Sequence, residues 1–187
     1  MCSSTLSYKD LKMADYRITP GLHMTSAFLR RTAFAKFKRD AKVFWDVGAG
    51  CGQLGIRWMQ EHPGSVAVAI ENNPQYYEDC LFNREAQGTP SLIVTDRDAT
   101  GDLSDLPRPD AVYMGCLGWN DENLAWHVVH NYLQPGGTIC AFGLQDRAVK
   151  HINDLVELGI GTVRVVNPEP HLAGMKFWFY TKPDSAE

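Results

Sequence analysis

Between two apolar stretches the chain reads Asp46-Val-Gly-Ala-Gly-Cys-Gly52. Glycine at every second position breaks both strand and helix, and it permits a tight turn that a ligand can approach at backbone distance. The run before it, Val43-Phe-Trp-Asp-Val47, is short and apolar, as expected of a strand covered on both faces. Leu54 to Glu61, which follows, reads as a short helix. A strand, a glycine turn and a helix in direct succession aim a helix N-terminus at the turn, where a carboxylate or phosphate is favoured.

The same alternation continues along the chain. A helical period spans Thr25 to Lys38, with Leu29, Ala33 and Phe37 on one face and Arg31 and Lys38 on the other. Ser65 to Ile70 predicts a second strand, and Pro74 to Gln87 a helix with proline in its first turn and Gly88 after its end. Strands follow at Ser91–Thr95, Asp110–Gly115 and Gly137–Phe142, with helices at Asp121–Leu133 and Gln145–Leu158. Such βαβ units imply a parallel sheet. Val163–Val166 and Lys176–Tyr180 are joined by a loop with Pro168, Pro170 and Gly174 and no intervening helix, so the sheet is expected to close with an antiparallel hairpin. The 187 residues suit one domain at roughly 150 residues each, with residues 1–20 as a loosely attached N-terminal arm.

The glycine spacing discriminates between ligands. A dinucleotide fingerprint would need glycine at position 53, which is Gln53, and a P-loop would need a following Gly-Lys-Ser/Thr. Glu71 ends the second strand 19 residues after Gly52, where a carboxylate can accept both hydroxyls of a ribose. This combination resembles the first two motifs of the class I methyltransferases that bind S-adenosylmethionine. Asp98-Ala99 after the third strand, the fourth strand ending in Gly115, and Leu133-Gln-Pro-Gly-Gly137 before the fifth continue the pattern.

A narrower resemblance rests on Trp45 to Gly52, Trp58-Met59, Ala69-Ile-Glu71 and Leu106-Pro-Arg-Pro-Asp-Ala-Val-Tyr-Met-Gly115. These stretches look like the decarboxylating precorrin-6Y methyltransferases of cobalamin biosynthesis, and the resemblance covers about Ile18 to Phe142. It implies a three-layer Rossmann-like α/β fold with a mostly parallel seven-stranded sheet, S-adenosylmethionine as cofactor, and carbon methylation of an anionic tetrapyrrole with decarboxylation. It further implies a homo-oligomer. Residue by residue it assigns Asp46, Gly48, Gly50 and Gly52 to the methionine side, Glu71 to the ribose, and Asp98 and Ala99 to the adenine, with Ala49, Cys51, Gln53, Asn72 and Gly115 as further cofactor-binding positions. Thr25, Arg30, Arg31 and Trp119 are the substrate-side candidates. The sequence departs from the family pattern at Ser26-Ala-Phe28, at Gln53 where serine is usual, at Gly115 to Trp119, and at Ala141 to Gln145, all toward the acceptor.

Composition bounds the remainder. A formal net charge of -4 argues against a chain that coats nucleic acid, and no stretch approaches the roughly 18 apolar residues of a membrane span. Five scattered cysteines without a C-x-x-C pair suggest neither disulfides nor zinc, so a cytoplasmic location is expected. His127 and His130 lack an evident third ligand, and no metal is expected. Arg30, Arg31, Lys36, Lys38, Arg39 and Lys42, opposed only by Asp40, make a basic segment expected beside the site. It suits the carboxylates of a tetrapyrrole, a solvated helix face, or less readily RNA phosphates. Trp119 fits either a macrocycle contact or a lid over the core, and Cys116 is read as a small buried residue rather than a nucleophile.

Overall fold

The chain is described by a computed structural model, which covers residues 16–22, 24–115, 124–144, 162–166 and 175–184. Its first strand, β1 (Val43–Val47), sends Trp45 and Val47 to one side of the sheet and Phe44 and Asp46 to the other. Parallel neighbours flank it: β2 (Val66–Ile70) pairs Val43 with Val66, and β4 (Ala111–Met114) pairs Phe44 with Ala111. Outward from these lie β3 (Ile93–Thr95) on β2 and β5 (Thr138–Leu144) on β4, both parallel. Two antiparallel strands, β6 (Thr162–Val166) and β7 (Met175–Thr181), complete a seven-stranded sheet of order β3-β2-β1-β4-β5-β7-β6. The closing hairpin therefore has β7 inserted beside β5.

Helices cover both faces. On the Phe44 side pack α1 (Ala27–Phe34) and α2 (Gln53–Glu61), where the Phe44 ring stacks on Trp58 at 4.7 Å and Phe34 meets Trp58 edge-on at 5.2 Å. On the Trp45 side, Val128, Val129 and Leu133 in and after α4 (Leu124–Asn131) pack against Val112, Met114 and Ile139. The α3 helix (Pro74–Ala86) starts with Asn73 as its cap, whose side chain accepts from Gln75 N at 3.0 Å.

Two expectations change. The α1 helix ends at Phe34, short of the expected Lys38, because Lys36 N and Phe37 N turn back to the carbonyls of Ala33 and Phe34, which folds Phe37 into the core. The arm is not loose over its described part: Tyr16 is buried, and Arg17 and Thr19 are hydrogen-bonded to α3. The expected helix over Gln145–Leu158 lies outside the described residues.

Candidate cofactor site

The strand order reverses between β1 and β4, and in open α/β sheets the crevice beyond that point receives the ligand. The glycine loop lies there. Gly48, Gly50 and Gly52 all have positive φ, so three left-handed steps coil the chain into the turn. Gly52 is also excluded from carrying a side chain, because a Cβ would stand 2.5 Å from Cys80 Sγ. The loop is tied to β2 by Gly48 N and Ala49 N, which both donate to Ile70 O at 2.9 and 3.1 Å.

Glu71 follows β2 and is buried, yet it faces the cleft. Its Oε2 accepts from Gly50 N at 2.8 Å and its Oε1 from Asn73 N at 2.9 Å. Each carboxylate oxygen retains a lone pair, so the same group can still accept two hydroxyls. Further round the wall, Asn72 donates to Asp98 Oδ2 at 3.2 Å, and Asp98 Oδ1 accepts from Thr100 N and its hydroxyl at 2.8 Å. Those hydrogen bonds hold the Asp98 carboxyl below its usual range. The loop that follows is fastened by Tyr132, whose hydroxyl donates to Gly101 O and accepts from Leu103 N.

Together Gly48, Gly50, Glu71, Asn72, Asp98, Ala99 and Gly115 line one cleft of about 620 Å³, within the range of small-molecule sites. Leu22 and Tyr76 line it too, and neither carried a sequence signal. A smaller cavity of about 60 Å³ adjoins the same loop and is lined by Thr25, Asp46, Ala49, Cys51, Gln53 and Tyr113. Asp46 is buried, with Gly55 N 3.3 Å from its Oδ2. Burial pushes its pKa up to about 7, the Gly55 amide opposes this, and the Glu71 charge adds to it. Gln53 Oε1 is buried there without a hydrogen-bond partner. The cavity thus offers a carboxyl and an orphaned amide oxygen, a donor-seeking pair suited to a cationic group.

The substrate-side residues scatter. Thr25 lines the inner cavity with Tyr113, on the glycine-loop side. Arg30 and Arg31 line neither cavity. Arg30 is buried between α1 and α2, with Nη2 3.4 Å from Glu61 Oε1, because its helix presents that position to the core. The basic segment is also misplaced by the sequence reading. Lys36 to Lys42 precede β1, and Lys42 N bonds Asp110 Oδ2 at the N-terminal ends of the strands. The cleft opens beyond the other ends, about 13 Å away at the strand rise per residue. Trp119 and Cys116 lie outside the described residues.

The three described cysteines are buried. Burial pushes the Cys51 thiol up to about 11, and the Cys80 and Cys140 thiols are raised further. Among the described residues no group of three or more His, Cys, Asp or Glu side chains is placed to hold a metal ion. His127, one of the two histidines weighed as a ligand, has Nε2 3.3 Å from Gly101 O and accepts from Asn131 at Nδ1. No described helix is long and apolar enough to cross a membrane.

Residues 19–166 match the precorrin methyltransferase domain, which is most of the chain. The chain belongs to that family. It is similar to a precorrin-6Y C(5,15)-methyltransferase [decarboxylating] of Sinorhizobium sp, 29% identical over 79% of this chain and 36% of that protein. It therefore spans about a third of that relative's length. A cobalt-precorrin-6B C(15)-methyltransferase (decarboxylating) of Salmonella typhi is 30% identical over 73% of this chain and 70% of its own. Among solved structures, a precorrin-6y C5,15-methyltransferase from Geobacter metallireducens GS-15 superposes with a TM-score of 0.76 at 23% identity, covering 92% of this chain and 96% of that one. An RNA methyltransferase from Salinibacter ruber, in complex with S-adenosyl-L-homocysteine, reaches 0.61 at 18% identity over 88% and 97% of the two chains. At those identities the likeness concerns the fold, a Rossmann-like methyltransferase α/β sheet.

Proposed function

We propose that this chain is an S-adenosylmethionine-dependent methyltransferase that methylates carbon on a precorrin-type tetrapyrrole, with decarboxylation. The observation that carries the reading is the convergence of Glu71, the glycine loop and Asp98 on one cleft at the sheet's switch point, in a chain of the precorrin methyltransferase family. The residues present fit the cofactor: an orphaned Gln53 oxygen and a buried Asp46 carboxyl await a cation, and Glu71 has lone pairs free for a ribose. Bound S-adenosylmethionine supplies a methyl group activated by a sulfonium.

The protein's part is holding and shielding. Asp46 and Gln53 accept hydrogen bonds from the ammonium end, Glu71 takes the ribose hydroxyls, and Asn72, Asp98 and Ala99 flank the base. Fixing donor and acceptor in near-attack geometry can contribute roughly 7–11 kcal/mol, so no protein nucleophile is needed. The displaced basic segment favours neither a tetrapyrrole nor an RNA acceptor, since it does not border the cleft that would hold the methyl donor.

Calorimetry with S-adenosylmethionine and S-adenosylhomocysteine tests the cofactor, and no heat at hundred-micromolar ligand, about the upper range of common substrate constants, would defeat the proposal. Turnover on a tetrapyrrole panel, read as methyl gain and carbon dioxide release, tests the acceptor. Methylation of bulk RNA instead would redirect it, and binding without turnover on a broad panel would mark a non-catalytic relative.

A further inference from the structure

The α3 helix buries two polar side chains one turn apart, Asp79 and Asn83, on the face that meets the chain ahead of α1. Asn83 is wholly buried, and both ends of its amide are engaged. Oδ1 accepts from Arg17 N at 2.7 Å, while Nδ2 donates to Arg17 O at 2.8 Å and to Cys51 O at 2.9 Å. One side chain thus holds both backbone groups of Arg17 and a carbonyl of the glycine loop. A turn earlier Asp79 accepts from Arg17 Nε and from Thr19 N, both at 2.6 Å.

From this anchor the strap of residues 16–22 turns back, with Leu22 N donating to Thr19 O at 3.1 Å. The turn sets the Leu22 side chain over the loop, its Cδ1 only 3.0 Å from where a Gly50 Cβ would stand. Leu22 lines both the outer cleft and the inner cavity, so it stands at the boundary between them. A ligand that occupied both spaces would pass Leu22.

We propose that Asn83 is a positioning residue of the cofactor site: by bonding the strap and the glycine loop at once, it holds Leu22 over Gly50 and slows the ligand's escape. The inference rests on the cofactor reading above, and it adds a residue far from the motifs. A ligand on the loop and the strap over it share the Asn83 amide, so losing that amide loosens both. The consequence falls on dissociation, the step in which Leu22 must move aside.

The probe is S-adenosylhomocysteine on the full chain, with dissociation followed by stopped flow and strap attachment followed by trypsin cleavage after Arg17. Asn83→Asp keeps an acceptor for Arg17 N but turns an oxygen toward the carbonyls of Arg17 and Cys51. It should expose the Arg17 bond in the ligand-free protein and release ligand about tenfold faster. Leu22→Ala leaves the anchor intact, so cleavage should stay at the wild-type rate while release again quickens. Leu133→Ala, in the core on the opposite face of the sheet, is the control for general destabilisation and should leave release unchanged. Wild-type release rates in Asn83→Asp and Leu22→Ala would overturn the proposal, as would equal acceleration by Leu133→Ala. If Asn83→Asp does not fold, a wild-type release rate in Leu22→Ala still overturns the proposal. A wild-type chain that binds no ligand would overturn the cofactor reading instead, and cleavage of Asn83→Asp at the wild-type rate would overturn the strap tie on its own.

Discussion

Replacing Asp46 with asparagine should stabilise the fold while weakening the ligand, and pH should reveal why. Burial raises the Asp46 pKa from 3.8 to about 7. Below pH 3.8 both folded and unfolded chains hold the proton, and the group costs nothing. Between the two values only the unfolded chain ionises, so stability falls as pH rises, and above pH 7 the penalty is complete. Three pKa units correspond to about 4 kcal/mol as an upper figure. Asparagine keeps an oxygen for Gly55 N and carries no charge, so Asp46→Asn should recover much of this at pH 8. At 2–4 °C per kcal/mol for a chain of this size, the melting temperature should rise by up to roughly 15 °C. At pH 5.5 the gain should fall to about half, because the wild-type carboxyl is by then protonated in the fold. The same variant should bind S-adenosylmethionine roughly 10–100-fold more weakly, the worth of a hydrogen bond to a charged group. Scanning calorimetry at the two pH values, paired with isothermal titration, reads both effects. A melting temperature that drops, or a gain that ignores pH, would refute the buried-carboxyl argument, and unchanged affinity would refute its role toward the cation.

Three further outcomes follow from the same geometry. In the wild type, S-adenosylmethionine affinity should rise with pH up to about 7 and then level off, since the cation favours the ionised Asp46; a flat profile by titration calorimetry between pH 5.5 and 8 would contradict this. Glu71→Gln leaves one carbonyl oxygen for two backbone donors, so it should cost about 1–3 kcal/mol in denaturant unfolding and should lose most ligand affinity. Gly52→Ala combines a φ of +80° with a Cβ set against Cys80 Sγ, and should destabilise by about 1–3 kcal/mol; adding Cys80→Ala should return part of that loss, which thermal melts can check.

Much of the fold was legible because its signals are local. Glycines after β1, the proline at the start of α3, and Val-Ala-Val-Ala in β2 each specify their own element without reference to distant chain. The cofactor wall was legible for the same reason: Gly48 to Gly52, Glu71 and Asp98 sit at strand ends, where strand order alone brings them together. Element ends were less so. Nothing before Phe37 announces that α1 stops at Phe34, since the stop is made by tight turns whose reward is packing Phe37 beside Phe44 and Trp58.

Charge was the poorer guide, because a run of lysines and arginines says nothing about which end of a sheet it reaches. Lys36 to Lys42 lead into the start of β1, and a strand puts its own length between them and the ligand. Arg30 shows the opposite failure: its neighbours suggested a solvated helix face, yet packing of α1 on α2 buries it beside Glu61. Asn83 was invisible for a third reason. The buried positions of α3 are Asp79, Cys80 and Asn83, so the helix has no apolar stripe to mark its inward face. That face is polar because what it buries is backbone: the amide and carbonyl of Arg17, 66 positions earlier, and the carbonyl of Cys51. A polar side chain buried against backbone groups acquires meaning only once the chain is folded, and here that meaning is a join between the strap and the glycine loop.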